Sequence, residues 1–189
     1  MANEVILVLQ LIFEKGLEIL KAPITNPQML WMLLPLIVAL FLMELYFNKY
    51  KHEELGWNSA VSNSLVLLFV ALNLASYLSS KGILINFLDF KMIGLASSQA
   101  IIRSAITYFV FFEAVLLLGL NFFHIAPKGL AFGISNSLIL NFIAAMSLIL
   151  VYSTLIINWL VIPTFLTIFA ILLLFLWIIS LFAPKDDEE

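Results

Sequence analysis

Two glutamates and two copies of one polar tripeptide stand out in this chain, because each is set in an otherwise apolar stretch. The segment 62–71, SNSLVLLFVA, aligns without gaps to 135–144, SNSLILNFIA: seven of the ten pairs are identical and two more exchange Val for Ile. Each copy follows a turn and a segment carrying a carboxylate, Glu44 before Ser62-Asn63-Ser64 and Glu113 before Ser135-Asn136-Ser137. Carboxylates, amides and hydroxyls among hydrocarbon can hold a proton or cation, or they can fasten helices together. In an apolar solvent an unpaired amide or hydroxyl costs several kcal/mol, so each of these groups must find a partner.

The two chemistries make different use of the same residues. If they fasten helices, Ala60 with Ser64 and Gly133 with Ser137 are small residues four apart that let backbones approach, and Asn63 and Asn136 bond across the contact. If they conduct, the two asparagines line a polar path. The tripeptides are read here as packing elements first. Glu44 lies about one turn from the end of its apolar stretch and can reach headgroups. Glu113 differs, because ten residues, about 15 Å of helix, separate it from both Arg103 and Phe123. A carboxylate at such depth is expensive and faces the interior with a partner, or is protonated. Its expected partner is Ser135, Asn136 and Ser137, on the antiparallel neighbour. Either a proton or cation site or a buried hydrogen bond would result.

Other polar residues are read structurally. Arg103, with Gln99 one turn earlier, is expected to snorkel to the surface. Asn73, Asn121 and Asn141 are expected to cap or cross-link helices. His52 and His124 lie in separate turns and are read as surface residues, although Glu53 and Glu54 stand beside the first. No metal site and no cofactor are expected. Neither histidine is placed at depth to serve as base to a serine, and no Gly-rich phosphate loop appears, so no enzyme chemistry is assembled.

These residues need elements to position them, and the composition states which kind. Of 189 residues, 63% are hydrophobic and 11% charged, against about 25% charged in an average soluble domain. A water-soluble chain of this size would have to leave much of that apolar surface exposed, so lipid is the expected solvent. Nine basic and twelve acidic residues, four of the latter at Asp186–Glu189, leave no basic stripe for nucleic acid. Cysteine is absent, which removes disulfides and thiolate chemistry. No cleavable signal peptide is expected, because the first charge is Glu4 and the apolar stretch runs into Glu14, Lys15 and Glu18.

The expected fold is an all-α integral membrane protein of about five transmembrane helices with a duplicated two-helix hairpin. Residues 1–27 read as an interfacial amphipathic helix and linker, with Val5, Ile6, Leu9, Phe13 and Leu20 opposite the polar residues, broken at Ala22-Pro23 and Asn26-Pro27. Residues 28–78 form the first hairpin, with spans at 28–47, bent at Pro35, and 57–78. Residues 79–99 form an interfacial connection. Residues 100–157 form the second hairpin, with spans at 100–123 and 130–155, closed by a tight turn at Asn158 and Trp159. Residues 158–189 hold a fifth helix and the acidic tail, with Phe165, Phe169, Phe175 and Trp177 facing lipid or a partner. An even number of crossings separates the copies, so they are expected to be parallel.

Two functions fit this reading. The first is a non-enzymatic, complex-forming subunit of the cell membrane whose partners are the bilayer and other membrane subunits, or further copies of itself. The second is a small oligomeric channel or transporter module passing protons, cations or a small solute past Glu113 and Asn136, with Glu44 and Asn63 as counterparts.

Overall fold

A computed structural model describes residues 2–49 and 56–182, all helix and connection with no strand among them. His52, Glu53, Glu54 and the acidic tail lie outside the described residues. The helices are α1 (Ala2–Thr25), α2 (Pro27–Lys49), α3 (Trp57–Ser80), α4 (Phe90–Leu95), α5 (Ser98–Phe122), α6 (Lys128–Ile134), α7 (Ser137–Tyr152) and α8 (Val161–Phe182). Five stretches are long and apolar enough to cross a membrane: α2, α3, α5, α6 with α7, and α8.

The most extensive helix pair is α3 with α5. Its seam on α3 is Ala60, Ser64, Leu67, Ala71, Leu74 and Leu78, alternating steps of four and three, which is the heptad spacing that keeps one face on a partner. The buried stripe on α5 carries small residues, Ala100, Ser104 and Thr107 in its first half and Ala114 beyond its middle, which let backbones approach. At the centre sits α7, the most enclosed helix, touching α2, α3 and α5. The first pair of spans does not close on itself: α2 packs chiefly on α7 rather than on α3.

Helix ends follow local chemistry. Asn26 Oδ1 accepts from the Met29 amide at 3.3 Å and Pro27 fills the first position of α2, where its missing N–H costs nothing. The expected break at Ala22-Pro23 does not occur: α1 runs through Pro23 to Thr25, because one lost hydrogen bond in a last turn is tolerated. α3 ends on Gly82 at φ 67, with the Ile83 amide bonded back to the Leu78 carbonyl at 3.0 Å. α5 closes the same way with His124 at φ 54, its ring stacked on Trp57 at 4.1 Å.

The span expected at 130–155 is present as one apolar stretch, Lys128–Tyr152, but it is built from two helices. Ser135 ends α6, and Asn136 starts α7 by accepting the Leu138 amide on its side-chain oxygen at 2.8 Å, a strong N-cap. Residues 153–158 lengthen the connection to α8, and the expected tight turn closes it, with the Val161 amide bonded back to the Asn158 carbonyl at 3.1 Å.

Along the expected interfacial helix, the residues turned to the bundle are Lys15, Ile19 and Ala22, a face between the two sides that periodicity distinguishes. Beside that face α1 lies against α8, where a Cβ added at Gly16 would be 3.7 Å from Thr164 Cγ2. Lys15 is satisfied within its own helix, 2.7 Å from Glu18. Phe165 and Phe169 of α8, expected to face outward, pack edge-on or tilted against Phe142 of α7, and Phe175 meets Phe41 of α2.

Candidate functional site

The structure brings the two tripeptides together, around an amide from a third helix. Asn121, fully buried near the end of α5, donates from Nδ2 to Ser135 Oγ at 2.7 Å and Ser64 Oγ at 2.9 Å, with the Ala60 carbonyl at 3.3 Å. Ser64 Oγ donates to that Ala60 carbonyl at 2.8 Å. The two amide hydrogens therefore match the two serine oxygens, one from each copy. Asn63 completes the arrangement by donating to the Ser135 carbonyl at 2.9 Å, where the end of α6 leaves an acceptor without a helical partner.

One tripeptide thus adopts two conformations. In α3 the helix runs through Ser62-Asn63-Ser64, and Asn63 reaches outward to hold the broken helix. In the second copy the exposed Asn136 folds back on its own backbone to cap α7, while Ser137 Oγ accepts from Asn141 Nδ2 at 3.0 Å. Asn121 and Asn141 were expected only as general cross-links. Of the expected small-residue contacts, Ala60 with Ser64 is buried at the seam, but Gly133 is exposed and a Cβ there would meet nothing within 4 Å.

The glutamates do not join this cluster. The expected pairing of Glu113 with Ser135, Asn136 and Ser137 is not formed; Asn121, two turns further along α5, meets Ser135 instead. Glu113 is half-buried, and its Oε2 lies buried with no hydrogen-bond partner among the described residues. The Asn121 Oδ1 is a second such acceptor. Glu44 is half-buried on α2 and accepts no hydrogen bond from the described residues. Among the described residues no three His, Asp or Glu side chains gather as a metal-holding group.

At the opposite end of the bundle, sequence reasoning missed a second cluster. Rather than snorkelling, Arg103 donates to backbone: Nε to Leu150 O at 3.1 Å, and Nη2 to Ser153 O at 3.1 Å and Leu155 O at 2.8 Å. A guanidinium fork matches the open carbonyls of a helix C-terminus in both geometry and charge. Gln99, one turn earlier, pairs both ways with Ile157, accepting its amide at 2.9 Å and donating to its carbonyl at 3.1 Å. Asn26 and Tyr77 donate to the Tyr152 carbonyl, with the rings of Tyr77 and Tyr152 stacked at 3.9 Å. The signal was present in the spacing: residues 99 and 103 share a helix face, so both reach the same neighbour.

Because α2 leans on α7, a groove of about 450 Å³ opens between α2 and α3. One wall is Pro35, Leu36, Ala39 and Met43; the other is Asn58, Ser59, Ser62, Asn63 and Val66; Ser137 and Asn141 form the floor. Neither Glu113 nor Asn136 lines it. No protein family, curated protein or solved structure matches this chain.

Proposed function

We propose that this chain is a non-enzymatic, multi-pass subunit of the cell membrane that assembles with other membrane subunits or with itself. In this reading the five long helices cross the bilayer, α1 lies at one face against the first turns of α8, and the chain descends from a duplicated helical hairpin. The observation that carries it is the Asn121 cluster. Asn63 and Ser64 of one copy, with Ser135 and Asn136 of the other, serve to fasten α3, α5 and the α6–α7 break. Consistent with assembly, α8 turns Ile162, Leu166, Ile171, Leu174 and Trp177 outward.

Purification in a mild detergent tests the proposal. A complex larger than one copy, or a stoichiometric co-purifying membrane protein, is expected, together with no proton or cation flux from reconstituted liposomes. The alternative, a small oligomeric channel or transporter module, is favoured by one observation: the Oε2 of Glu113, midway along α5, has no hydrogen-bond partner among the described residues. Flux that disappears in Glu113→Gln while the fold persists would establish that reading and displace the first.

A further inference from the structure

The groove between α2 and α3 carries more hydrogen-bonding capacity than the protein uses. Asn58, Ser59 and Ser62 make no side-chain hydrogen bond with any described residue. Asn63 and Asn141 donate but neither accepts on its side-chain oxygen. Asn141 is only 7% exposed and lines the floor of the groove. If α3 crosses a bilayer, Asn58, Ser59, Ser62 and Asn63 lie between about 2 and 9 Å inside its N-terminal end, and the deeper of them meet lipid tails that offer no partner.

The two walls differ in a way that selects an occupant. On α3 the polar groups occupy positions 58, 59, 62 and 63, and Val66 follows, so the wall passes from polar to apolar along the helix. The α2 wall is apolar throughout. No lining residue carries a charge, so nothing compensates an ionised headgroup drawn below the surface. The slot is bounded by two helices that do not pack on each other, which leaves it open from the side, and its volume falls within the range of small-molecule sites.

We infer that this groove binds one neutral, hydroxyl-bearing lipid, its polar end on Ser59, Ser62 and Asn141 and its chain along Pro35, Ala39 and Met43. The hydroxyl donates to the Asn141 side-chain oxygen, and its oxygens accept from the serines. This inference rests on the membrane reading above but not on assembly with a partner.

The test uses the full chain in phosphatidylcholine nanodiscs with a photoactivatable diacylglycerol. Labelling is expected within 35–43 and 58–66, competed by unlabelled dioleoylglycerol and not by free glycerol or dioleoylphosphatidylglycerol. Replacing Ser59 and Ser62 together by Ala removes two neutral hydrogen bonds and should weaken labelling about tenfold. Ala39→Phe should abolish it by filling the slot. A purely hydrocarbon photoprobe, expected on the outer face of α8, reports bilayer insertion separately. Equal diacylglycerol labelling of the α8 face and the groove would overturn the inference. So would competition by free glycerol, which would mark a solute site, or cross-linking of a co-purified transmembrane segment in the groove. If a variant does not fold, the competition pattern of the native chain decides alone.

Discussion

Replacing Asn121 by Leu removes the amide that ties both tripeptides together while roughly preserving the volume it fills. Two good hydrogen bonds are lost, at 2.7 Å to Ser135 and 2.9 Å to Ser64; the third acceptor, the Ala60 carbonyl, is already served by Ser64 at 2.8 Å. Side-chain bonds between membrane helices average about 0.6 and reach about 1.7 kcal/mol, so the pair contributes about 1–3 kcal/mol. The variant also strands the fully buried Ser135 hydroxyl, at about 1–3 kcal/mol, but it removes the Asn121 Oδ1, itself buried and unpartnered. Those two terms cancel to first order, and a loss of about 1–3 kcal/mol remains. Ser135→Ala alone should cost about 1–2 kcal/mol, because it leaves one Asn121 N–H unmatched. In the double variant nothing is stranded, so the two costs should fall short of their sum by about 1 kcal/mol or more. Reversible unfolding in mixed micelles, titrated with a denaturing detergent, measures all four corners of this cycle. Additivity within about 0.3 kcal/mol would refute the claim that Asn121 and Ser135 are coupled.

Three further outcomes follow from the geometry. Arg103→Met should destabilise the chain by about 2–4 kcal/mol, after allowing water to replace part of three charged hydrogen bonds, and amide exchange at Leu155 and Ile157 should rise before that in α3; Arg103→Lys, with no fork, should recover only part of the loss. Gly82→Val should lower stability by about 1–2 kcal/mol in thermal melts, whereas Gly82→Asn should be far milder, because φ 67 admits Asn but opposes a β-branched side chain. Since the chain has no cysteine, Gly16→Cys with Thr164→Cys should form a single disulfide on oxidation, read by gel shift after proteolysis between the helices. Failure of that bridge would mean that α1 does not lie along α8.

The polar residues show how far spacing alone can be taken. That Asn121 and Asn141 act as cross-links was legible, since an amide in an apolar helix has few other fates. That Asn121 would meet one serine from each tripeptide was not, because the contact joins residues 57 and 14 positions apart through three separate helices. Glu113 was assigned the neighbour that chain order suggested, yet the second copy is broken at Ser135-Asn136 and its hydroxyl turns to α5 further along. Snorkelling considers one helix and water, whereas the carbonyls that Arg103 meets belong to the end of α7 and the segment that follows it.

Residue type and periodicity alone determined that this chain is helical, where its five long apolar stretches lie to within a few residues, and which side chains would need partners. Those properties depend on local geometry and on solvation, both of which are written in consecutive residues. Tertiary structure alone decided that SNS stays helical at 62–64 but interrupts the helix at 135–137. It also decided that α2 leans on α7 and leaves a groove beside α3. The break persists because Asn63 and Asn121 supply, from other helices, the hydrogen bonds that the interrupted backbone and its serine require.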